Sequence, residues 1–365
     1  MTQSKLYWLN GESNDDIDVW INFWEESVTR RPHDHPGYLR ALATPDLTPM
    51  AVLFEHPTGA TIFYAFYLRS LNNLEFIGQT ICPLFHIVSP YGYGGPIYQG
   101  QAKYYEEISA EFESAFNAVL QERGVISEFV REDIFQERLA IRLYGRHVQQ
   151  QLNAVVRLDR APEEHWRNYK HKVRKNVKKA ISSGLKVVFD SNGEYLDEFL
   201  KVYYNTMERT GAGRSFFFAK ECFELLGLTL GASGGLTYVH VFEGERMIST
   251  ELLLLSPDTI YSFLGGTLAS EFDKRPNDLL KHETILWGRR QGLKYYVLGG
   301  GVSPGDGIFA YKEAFDPGSV YAFFIREVQH DIGKYNQLTQ LRKQFEAERG
   351  IEWKQRPDFF PAYLS

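Results

Sequence analysis

The stretch 237–264 reads TYVHVFEGERMISTELLLLSPDTIYSFL. It alternates β-branched, aromatic and leucine-rich runs with two turn sequences, Glu243-Gly244-Glu245 and Ser256-Pro257-Asp258, which predicts three antiparallel strands. The predicted strands are Thr237–Phe242, Met247–Leu255 and Thr259–Leu264. A helix at Asn277–Gln291 and a strand at Lys294–Leu298 follow. This order predicts an α+β fold, with a mixed or antiparallel sheet flanked by helices.

The first half of the chain shows the same order of predicted elements, although its residues differ. The elements are a hairpin of Met50–Glu55 and Ala60–Leu68, a strand at Leu74–Ile81, a helix over 102–123 and a strand at Val125–Val130. We therefore expect two similar domains, 1–155 and 156–327. A helical tail, Val328–Gly350, is expected to pack back on the first domain as part of the segment 328–365.

Composition excludes several classes of protein. The 365 residues carry a net charge of −6, which excludes a globally basic nucleic-acid coat. Cys82 and Cys222 are the only cysteines, too few for a disulfide framework. The N-terminal residues lack an apolar signal region, and Met247–Leu255, the most apolar stretch, is too short to span a membrane. We expect a soluble, cytoplasmic protein without stable membrane insertion.

A basic helix is predicted at Pro162–Ser183. Six of the ten residues from Lys170 to Lys179 are Lys or Arg. Like charges at helical spacing repel, so an anionic ligand such as the phosphates of a nucleotide, tRNA or coenzyme A would stabilise this face. The candidate phosphate-binding residues are Lys172, Arg174, Lys175 and Lys178. The alternative is a solvated helix face paired with Glu163 and Glu164.

The loop Ser89–Pro96 combines Tyr91 and Tyr93 with three glycines and flanking prolines. Glycines allow a ligand to approach the backbone and tyrosines can stack or form hydrogen bonds, so this composition favours a binding loop over a plain turn. The sequence His33-Asp34-His35 is only a weak metal motif, because prolines flank it and no further ligand cluster is nearby.

Lys312 stands in the apolar and aromatic sequence Ile308–Phe315, after the strand end Leu298 and the glycines that follow it. A buried ammonium group would need a specific anionic partner there. The alternative is an exposed lysine whose aliphatic stem covers the apolar surface.

Taken together, the second half resembles the Fem family of peptidoglycan-bridge aminoacyltransferases, within the GNAT acyltransferase superfamily. The resemblance spans about 158–324. It is carried by Lys179–Gly184, Tyr204–Arg209, Arg275–Leu280 with Trp287, Gly288 and Gly292, and Leu298-Gly299-Gly300 followed by Phe309–Phe315. In the first half it depends chiefly on the loop Pro90–Pro96 and on the region of Arg131. The family's phenylalanine–lysine pair is Tyr311-Lys312 here.

The resemblance implies tandem GNAT-like domains that transfer an aminoacyl group from aminoacyl-tRNA to the amine of a UDP-linked or lipid-linked muropeptide. It implies that Lys312 stabilises negative charge on the acyl carbonyl, without a metal or redox cofactor. Arg209 would bind acceptor phosphates. Further substrate-binding residues would be Tyr91, Tyr93, Arg131 and Tyr261.

Two alternatives stay open at this point. One is acyl-CoA-dependent N-acylation of a nucleotide sugar or of a surface polysaccharide precursor, and the other is a non-catalytic ligand-binding protein. The turn Asp273–Asp278 lacks the glycines that usually bind pyrophosphate, which favours tRNA over coenzyme A. Glu251 and Asp306 are both candidates for assisting deprotonation of the amine.

Overall fold

The computed structural model describes residues 3–77, 83–140, 144–303 and 305–365. The chain forms two compact units. Unit 1 contains residues 1–27, 33–150 and 323–365, and unit 2 contains residues 28–32 and 151–322. No helix within these described ranges is both long and apolar enough to cross a membrane.

The strands are β1 (Lys5–Asn10), β2 (Leu47–Glu55), β3 (Thr61–Ser70), β4 (Phe85–Val88), β5 (Ile97–Gln99), β6 (Val125–Arg131), β7 (Arg146–Arg157), β8 (Lys186–Asp190), β9 (Leu236–Glu243), β10 (Arg246–Leu255), β11 (Thr259–Thr267), β12 (Tyr295–Gly299) and β13 (Val320–Gln329). The α-helices are α1 (Asn14–Glu26), α2 (Pro36–Leu42), α3 (Tyr105–Glu122), α4 (Pro162–Asn168), α5 (His171–Ser182), α6 (Leu196–Thr210), α7 (Lys220–Leu226), α8 (Pro276–Arg290), α9 (Gly307–Glu313) and α10 (Ile332–Glu348).

Unit 1 is built on a mixed sheet in the order β1-β2-β3-β4-β6-β13, with β5 paired to β3. In this sheet β4 and β6 are parallel, and the other neighbouring strands are antiparallel. Helix α3 buries Ile108, Phe112 and Phe116 in the same core cluster as the apolar residues of β2 and β3. This packing of one apolar face accounts for the predicted helix over 102–123.

Unit 2 repeats this plan in the order β7-β12-β11-β10-β9-β8. The hairpin β9–β10 is followed by β11, and β12 lies parallel to β11 after the helix α8. Its core gathers Val173 and Val177 of α5, Leu280 and Ile285 of α8 and apolar residues of the strands. The predicted α+β class, with a mixed sheet flanked by helices in each half, is confirmed.

Several predicted elements were wrong in detail. The predicted helix over 162–183 is two helices, α4 and α5, because Tyr169 and Lys170 between them have extended backbone angles. A strand was predicted at Leu74–Ile81, but the strand that follows β3 is β4 at Phe85–Val88. Residues 74–77 form turns, and residues 78–81 lie outside the described residues. The predicted tail helix begins later, at Ile332, because residues 328–329 end the strand β13.

Candidate functional site

Unit 2 contains a cavity of about 510 Å³ at the end of β11. The ladder between β11 and β12 covers only Thr259–Tyr261 and Tyr295–Val297, whereas the ladder between β10 and β11 continues to Thr267. Residues 262–267 line the cavity, together with side chains of α6, the first turns of α8, and α9. The cavity therefore lies where two parallel strands stop pairing.

Lys312 enters the cavity from α9, a helix that the sequence did not predict. Asp306 caps this helix, because its carboxylate accepts a hydrogen bond from the Phe309 amide at 2.8 Å. The same carboxylate accepts one from the Val302 amide at 2.7 Å, which ties the preceding loop to the helix. The Nζ atom of Lys312 donates a hydrogen bond to the Gly300 carbonyl oxygen at 2.7 Å.

The environment of Lys312 disfavours its charge. The pKa of Lys312 is lowered to about 8, chiefly by burial and also by the neighbouring Lys281, whereas Glu251 and Asp306 act in the opposite direction. The sequence predicted a specific anionic partner for a buried Lys312, and the carboxylates that act on it through their charge are Glu251 and Asp306. Among the described residues, the recorded hydrogen-bond acceptor of its ammonium group is a backbone carbonyl. The cavity thus holds a cation without a directly bonded carboxylate.

Beside Lys312, a buried network connects four elements of unit 2. Lys281 of α8 donates to Glu251 of β10 at 2.5 Å, and the Tyr296 hydroxyl of β12 donates to the other carboxylate oxygen of Glu251 at 2.6 Å. Ser262 of β11 also donates to Glu251. The sequence analysis missed Lys281, Tyr296 and Ser262. A signal was present, because Lys281 lies among the buried residues of α8 and Glu251 directly precedes the four leucines of β10.

Positive charge surrounds the first turn of α8. The guanidinium group of Arg209 lies over the Phe272 ring, 4.9 Å from its centroid, and both residues line the cavity. Arg275 precedes Pro276, the first helical residue, with a left-handed backbone at φ 62° that is uncommon for a non-glycine residue. Burial raises the pKa of Asp278 in the same turn, where Asn176 donates to its carboxylate at 3.1 Å. The structure therefore brings Arg209 and Lys312 to one cavity.

Tyr261, in contrast, lies in the interior of unit 2 with 2% of its surface exposed, and it is not among the residues lining this cavity. Its neighbour Ser262 lines the cavity instead. Successive side chains of a strand point to opposite faces, so a difference of one position decides which residue faces a ligand.

The four predicted phosphate-binding residues on α5 have different surroundings. Arg174 donates to the carbonyl oxygens of Arg167, at 3.0 Å, and of Tyr169, which satisfies the open end of α4. Lys178 lies over the Trp166 ring, 5.9 Å from its centroid. Lys172 and Lys175 are exposed. Arg174 thus has a structural function, whereas Lys172 and Lys175 present their charges to solvent.

The remaining predicted residues belong to unit 1. The Tyr38 hydroxyl donates to the Tyr91 carbonyl at 2.7 Å and fixes the glycine-rich loop. A Cβ atom at Gly92 would lie 2.7 Å from the His33 ring, which explains the glycine there. Tyr93 packs edge-on against His33, at 5.4 Å between centroids. The guanidinium of Arg131 lies over the Phe129 ring, and burial lowers its pKa.

The His33-Asp34-His35 sequence serves the fold of unit 1. His35 caps α2 by accepting a hydrogen bond from the Gly37 amide at 3.0 Å. The Trp20 indole donates to the Asp34 carbonyl at 2.8 Å. Within the described part of the chain, no group of three or more His, Cys, Asp or Glu side chains is placed to hold a metal ion.

The chemistry available in the cavity of unit 2 is electrostatic. Lys312 and the basic residues at the first turn of α8 can bind anionic oxygen atoms or stabilise an oxyanion. Asp306 accepts bonds from backbone amides that hold its loop, so it is occupied as a cap. Glu251 accepts hydrogen bonds on both carboxylate oxygens, so neither carboxylate is an unoccupied base.

Unit 2 also resembles a known protein family. Residues 167–313 match the family "Acetyltransferase (GNAT) domain". The chain is 24% identical over 208 residues to the UDP-N-acetylmuramoylpentapeptide-lysine N(6)-alanyltransferase of Weissella viridescens. The match covers 56% of this chain and 58% of that protein, so the chain spans somewhat more than half the length of this curated relative.

Solved structures are similar over most of the chain. The crystal structure of FemX has a TM-score of 0.63 and 13% identity, and the match covers 89% of this chain and 98% of that one. The C-terminal domain (DUF2156) of a putative lysylphosphatidylglycerol synthetase from Agrobacterium fabrum has a TM-score of 0.52 and 12% identity, covering 93% and 97%. The resemblance to the Fem family and to GNAT acyltransferases, and the fold class it implied, are confirmed.

Proposed function

We propose that this protein is an N-acyltransferase that acts in the cytoplasm and transfers an aminoacyl group from aminoacyl-tRNA to an amine of a peptidoglycan precursor. The observation that carries the proposal is the position of Lys312, a cation that faces a cavity where two parallel strands stop pairing. The similarity to an alanyltransferase that acts on a muramoylpentapeptide supports this choice of acceptor.

In the proposed reaction, the acceptor amine attacks the carbonyl carbon of the aminoacyl ester. A C–N bond forms, the ester C–O bond breaks, and the proton lost by the amine is taken by the leaving oxygen atom of the tRNA, which becomes a hydroxyl group. Negative charge develops on the carbonyl oxygen during the attack. The ammonium group of Lys312 stabilises that charge, and the protein otherwise orients the two substrates.

The basic residues divide between the two substrates in this proposal. Arg209, on the wall of the same cavity, binds the phosphates of a UDP-linked or lipid-linked acceptor. Lys172 and Lys175, both exposed on α5, bind the backbone phosphates of the tRNA. Tyr91, Tyr93 and Arg131 of unit 1 remain proposed acceptor-binding residues.

A second candidate is transfer from an acyl-CoA to a nucleotide sugar or to a surface polysaccharide precursor. The match of residues 167–313 to an acetyltransferase domain favours it. The first turn of α8 argues against it, because Pro276 lacks the amide hydrogen that would serve a pyrophosphate, and no glycine opens the turn.

A transfer assay with purified protein and a UDP-linked muropeptide separates these candidates. We expect a new amide bond with aminoacyl-tRNA as donor, detected by mass spectrometry, and no product after RNase treatment. Product that forms from acyl-CoA and survives RNase would replace the first candidate with the second. Binding of the muropeptide without turnover from either donor would support a non-catalytic protein.

The contribution of Lys312 is tested in the same assay. Lys312→Met should lower kcat by about 10²- to 10³-fold, the loss expected when one oxyanion donor is removed. Lys294→Met is the matched control, because Lys294 is exposed and is not among the cavity-lining residues of unit 2. Equal rates for the two variants would rule out the proposed function of Lys312.

A further inference from the structure

The buried pair Lys281 and Glu251 has no function in the mechanism above. The ammonium group of Lys281 donates to Glu251 at 2.5 Å, to the Tyr296 hydroxyl at 3.0 Å and to the Ser262 hydroxyl at 3.2 Å. These bonds use all three of its hydrogens. Lys281 therefore has no donor left for a ligand, although it lines the cavity.

A purely structural function would not require charges at this position. A buried ion pair costs desolvation energy that its attraction roughly repays, and apolar side chains of similar volume usually stabilise a core equally well. The side chains of Lys281 and Glu251 are only 6% and 8% exposed, so this cost applies to them. Lys312 lines the same cavity, and this proximity suggests that their charges act on it.

Lys312 lies within electrostatic range of charged groups from three elements. Lys281 of α8 repels its ammonium group, while Glu251 of β10 and Asp306 at the cap of α9 attract it. Arg209, Arg275 and Asp278 line the same cavity. Of these groups, Lys281 and Glu251 are held by the buried network, so their positions are fixed when a ligand binds.

We propose that Glu251 and Lys281 are positioning residues whose opposite, fixed charges set the charge state of Lys312 for the transfer reaction. Glu251 maintains the ammonium form that stabilises the oxyanion, and Lys281 limits that effect. This inference rests on the proposed function and deepens it.

The inference predicts opposite effects of two isosteric variants. In Glu251→Gln, the attraction of Glu251 is lost while Lys281 still repels Lys312, so the ammonium form of Lys312 is disfavoured. In Lys281→Met, the attraction of Glu251 is unopposed, so the ammonium form is favoured. A merely structural pair would not produce shifts of opposite sign.

The test is a pH titration of Lys312 in the full-length protein by trace labelling of amines with acetic anhydride, quantified at Lys312 by mass spectrometry. The reactive form is the neutral amine, so the midpoint of labelling reports the ionisation of Lys312. We expect the midpoint to move by about one pH unit, to lower pH in Glu251→Gln and to higher pH in Lys281→Met. Asp197→Asn and Lys220→Met, from an exposed ion pair of unit 2 with a distance of 2.7 Å, should leave it unchanged.

Two further variants distinguish charge from packing. Lys281→Arg keeps the charge and should keep the wild-type midpoint, and Ser262→Ala removes a hydrogen bond without changing charge and should do the same. Shifts in one direction for both Glu251→Gln and Lys281→Met, or a Lys281→Arg midpoint equal to that of Lys281→Met, would overturn the inference. Circular dichroism confirms that each variant is folded.

The labelling experiment needs no substrate, so its outcome is independent of the donor and acceptor. If the midpoints shift in opposite directions but no donor supports transfer, the proposed function is wrong and the electrostatic coupling to Lys312 is retained. If transfer depends on Lys312 but the labelling midpoint shifts in neither Glu251→Gln nor Lys281→Met, the proposed function is retained and the electrostatic coupling is wrong.

Discussion

The Nζ atom of Lys312 lies 2.7 Å from the carbonyl oxygen of Gly300 and donates a hydrogen bond to it. This bond joins the last turn of α9 to the glycine-rich loop that follows β12. A single hydrogen of the ammonium group holds its orientation, which leaves two hydrogens for a substrate. The following predictions depend on this arrangement.

Transfer should depend on pH through Lys312. Its pKa is lowered to about 8, and the ammonium form is the one that stabilises an oxyanion. Activity should therefore be retained below pH 8 and decline as pH rises through about 8. The measurement is kcat as a function of pH. Because arginine stays protonated in this range, residual activity of Lys312→Arg should lack the decline; the same decline in that variant would assign it to another group.

We expect the hydroxyl group of Tyr311 to lower the free energy of unfolding of the substrate-free protein. It is buried, and no hydrogen-bond partner is recorded for it within the described residues. Burial also raises the pKa of Tyr311, so the group stays neutral. Tyr311→Phe, which restores the phenylalanine of the Fem pattern, should raise the free energy of unfolding by about 1 kcal/mol. Urea denaturation measures the change, and a loss of similar size would reveal a partner for the hydroxyl.

Substitution of Arg174 should lower the stability of unit 2, whereas substitution of Lys175 should weaken tRNA binding. Arg174→Ala removes charged hydrogen bonds to the end of α4 and should destabilise unit 2 by about 1–2 kcal/mol. Lys175→Ala should leave stability unchanged and weaken binding of deacylated tRNA, with a salt dependence reduced by about one phosphate contact. Thermal unfolding and filter binding at several salt concentrations measure the two effects. Unchanged tRNA affinity in Lys175→Ala would show that tRNA does not bind at this face of α5.

Arg209 should matter for the acceptor more than for the fold. Arg209 is exposed, and its guanidinium contacts the Phe272 ring. Arg209→Gln should raise the KM for a phosphate-bearing acceptor on the order of tenfold, the loss of one charge-assisted contact, while the melting temperature stays the same. Arg214→Gln, another exposed arginine of unit 2 that is not among the cavity-lining residues, is the control. An acceptor without phosphate should bind both variants equally.

Local patterns in the sequence were sufficient to predict the order of strands and helices that both halves of the chain share. The hairpin β9–β10 and the strand β11 were predicted because strand alternation and turn residues are properties of neighbouring positions. Lys312 was found because a charge in an aromatic segment is conspicuous within a few residues.

Features that depend on distant residues were missed. The break between α4 and α5 is satisfied by the side chain of Arg174, which bonds carbonyl oxygens five and seven residues earlier. Glu251 and Lys281 are 30 residues apart, and Tyr296 is 45 residues from Glu251. Only the completed sheet of unit 2 brings them together, so no local pattern could show that they form one network.

The division of unit 1 into separate chain segments has a consequence for biosynthesis. Its strand β6 pairs with β13, and the Tyr363 hydroxyl near the C-terminus lies 2.6 Å from the Ser127 hydroxyl. Residues 323–365 leave the ribosome after residues 151–322, which make up nearly all of unit 2 and emerge as one continuous segment. Unit 1 is therefore begun before unit 2 and completed after it, and the edge of β6 that pairs with β13 stays unpaired until β13 has been translated.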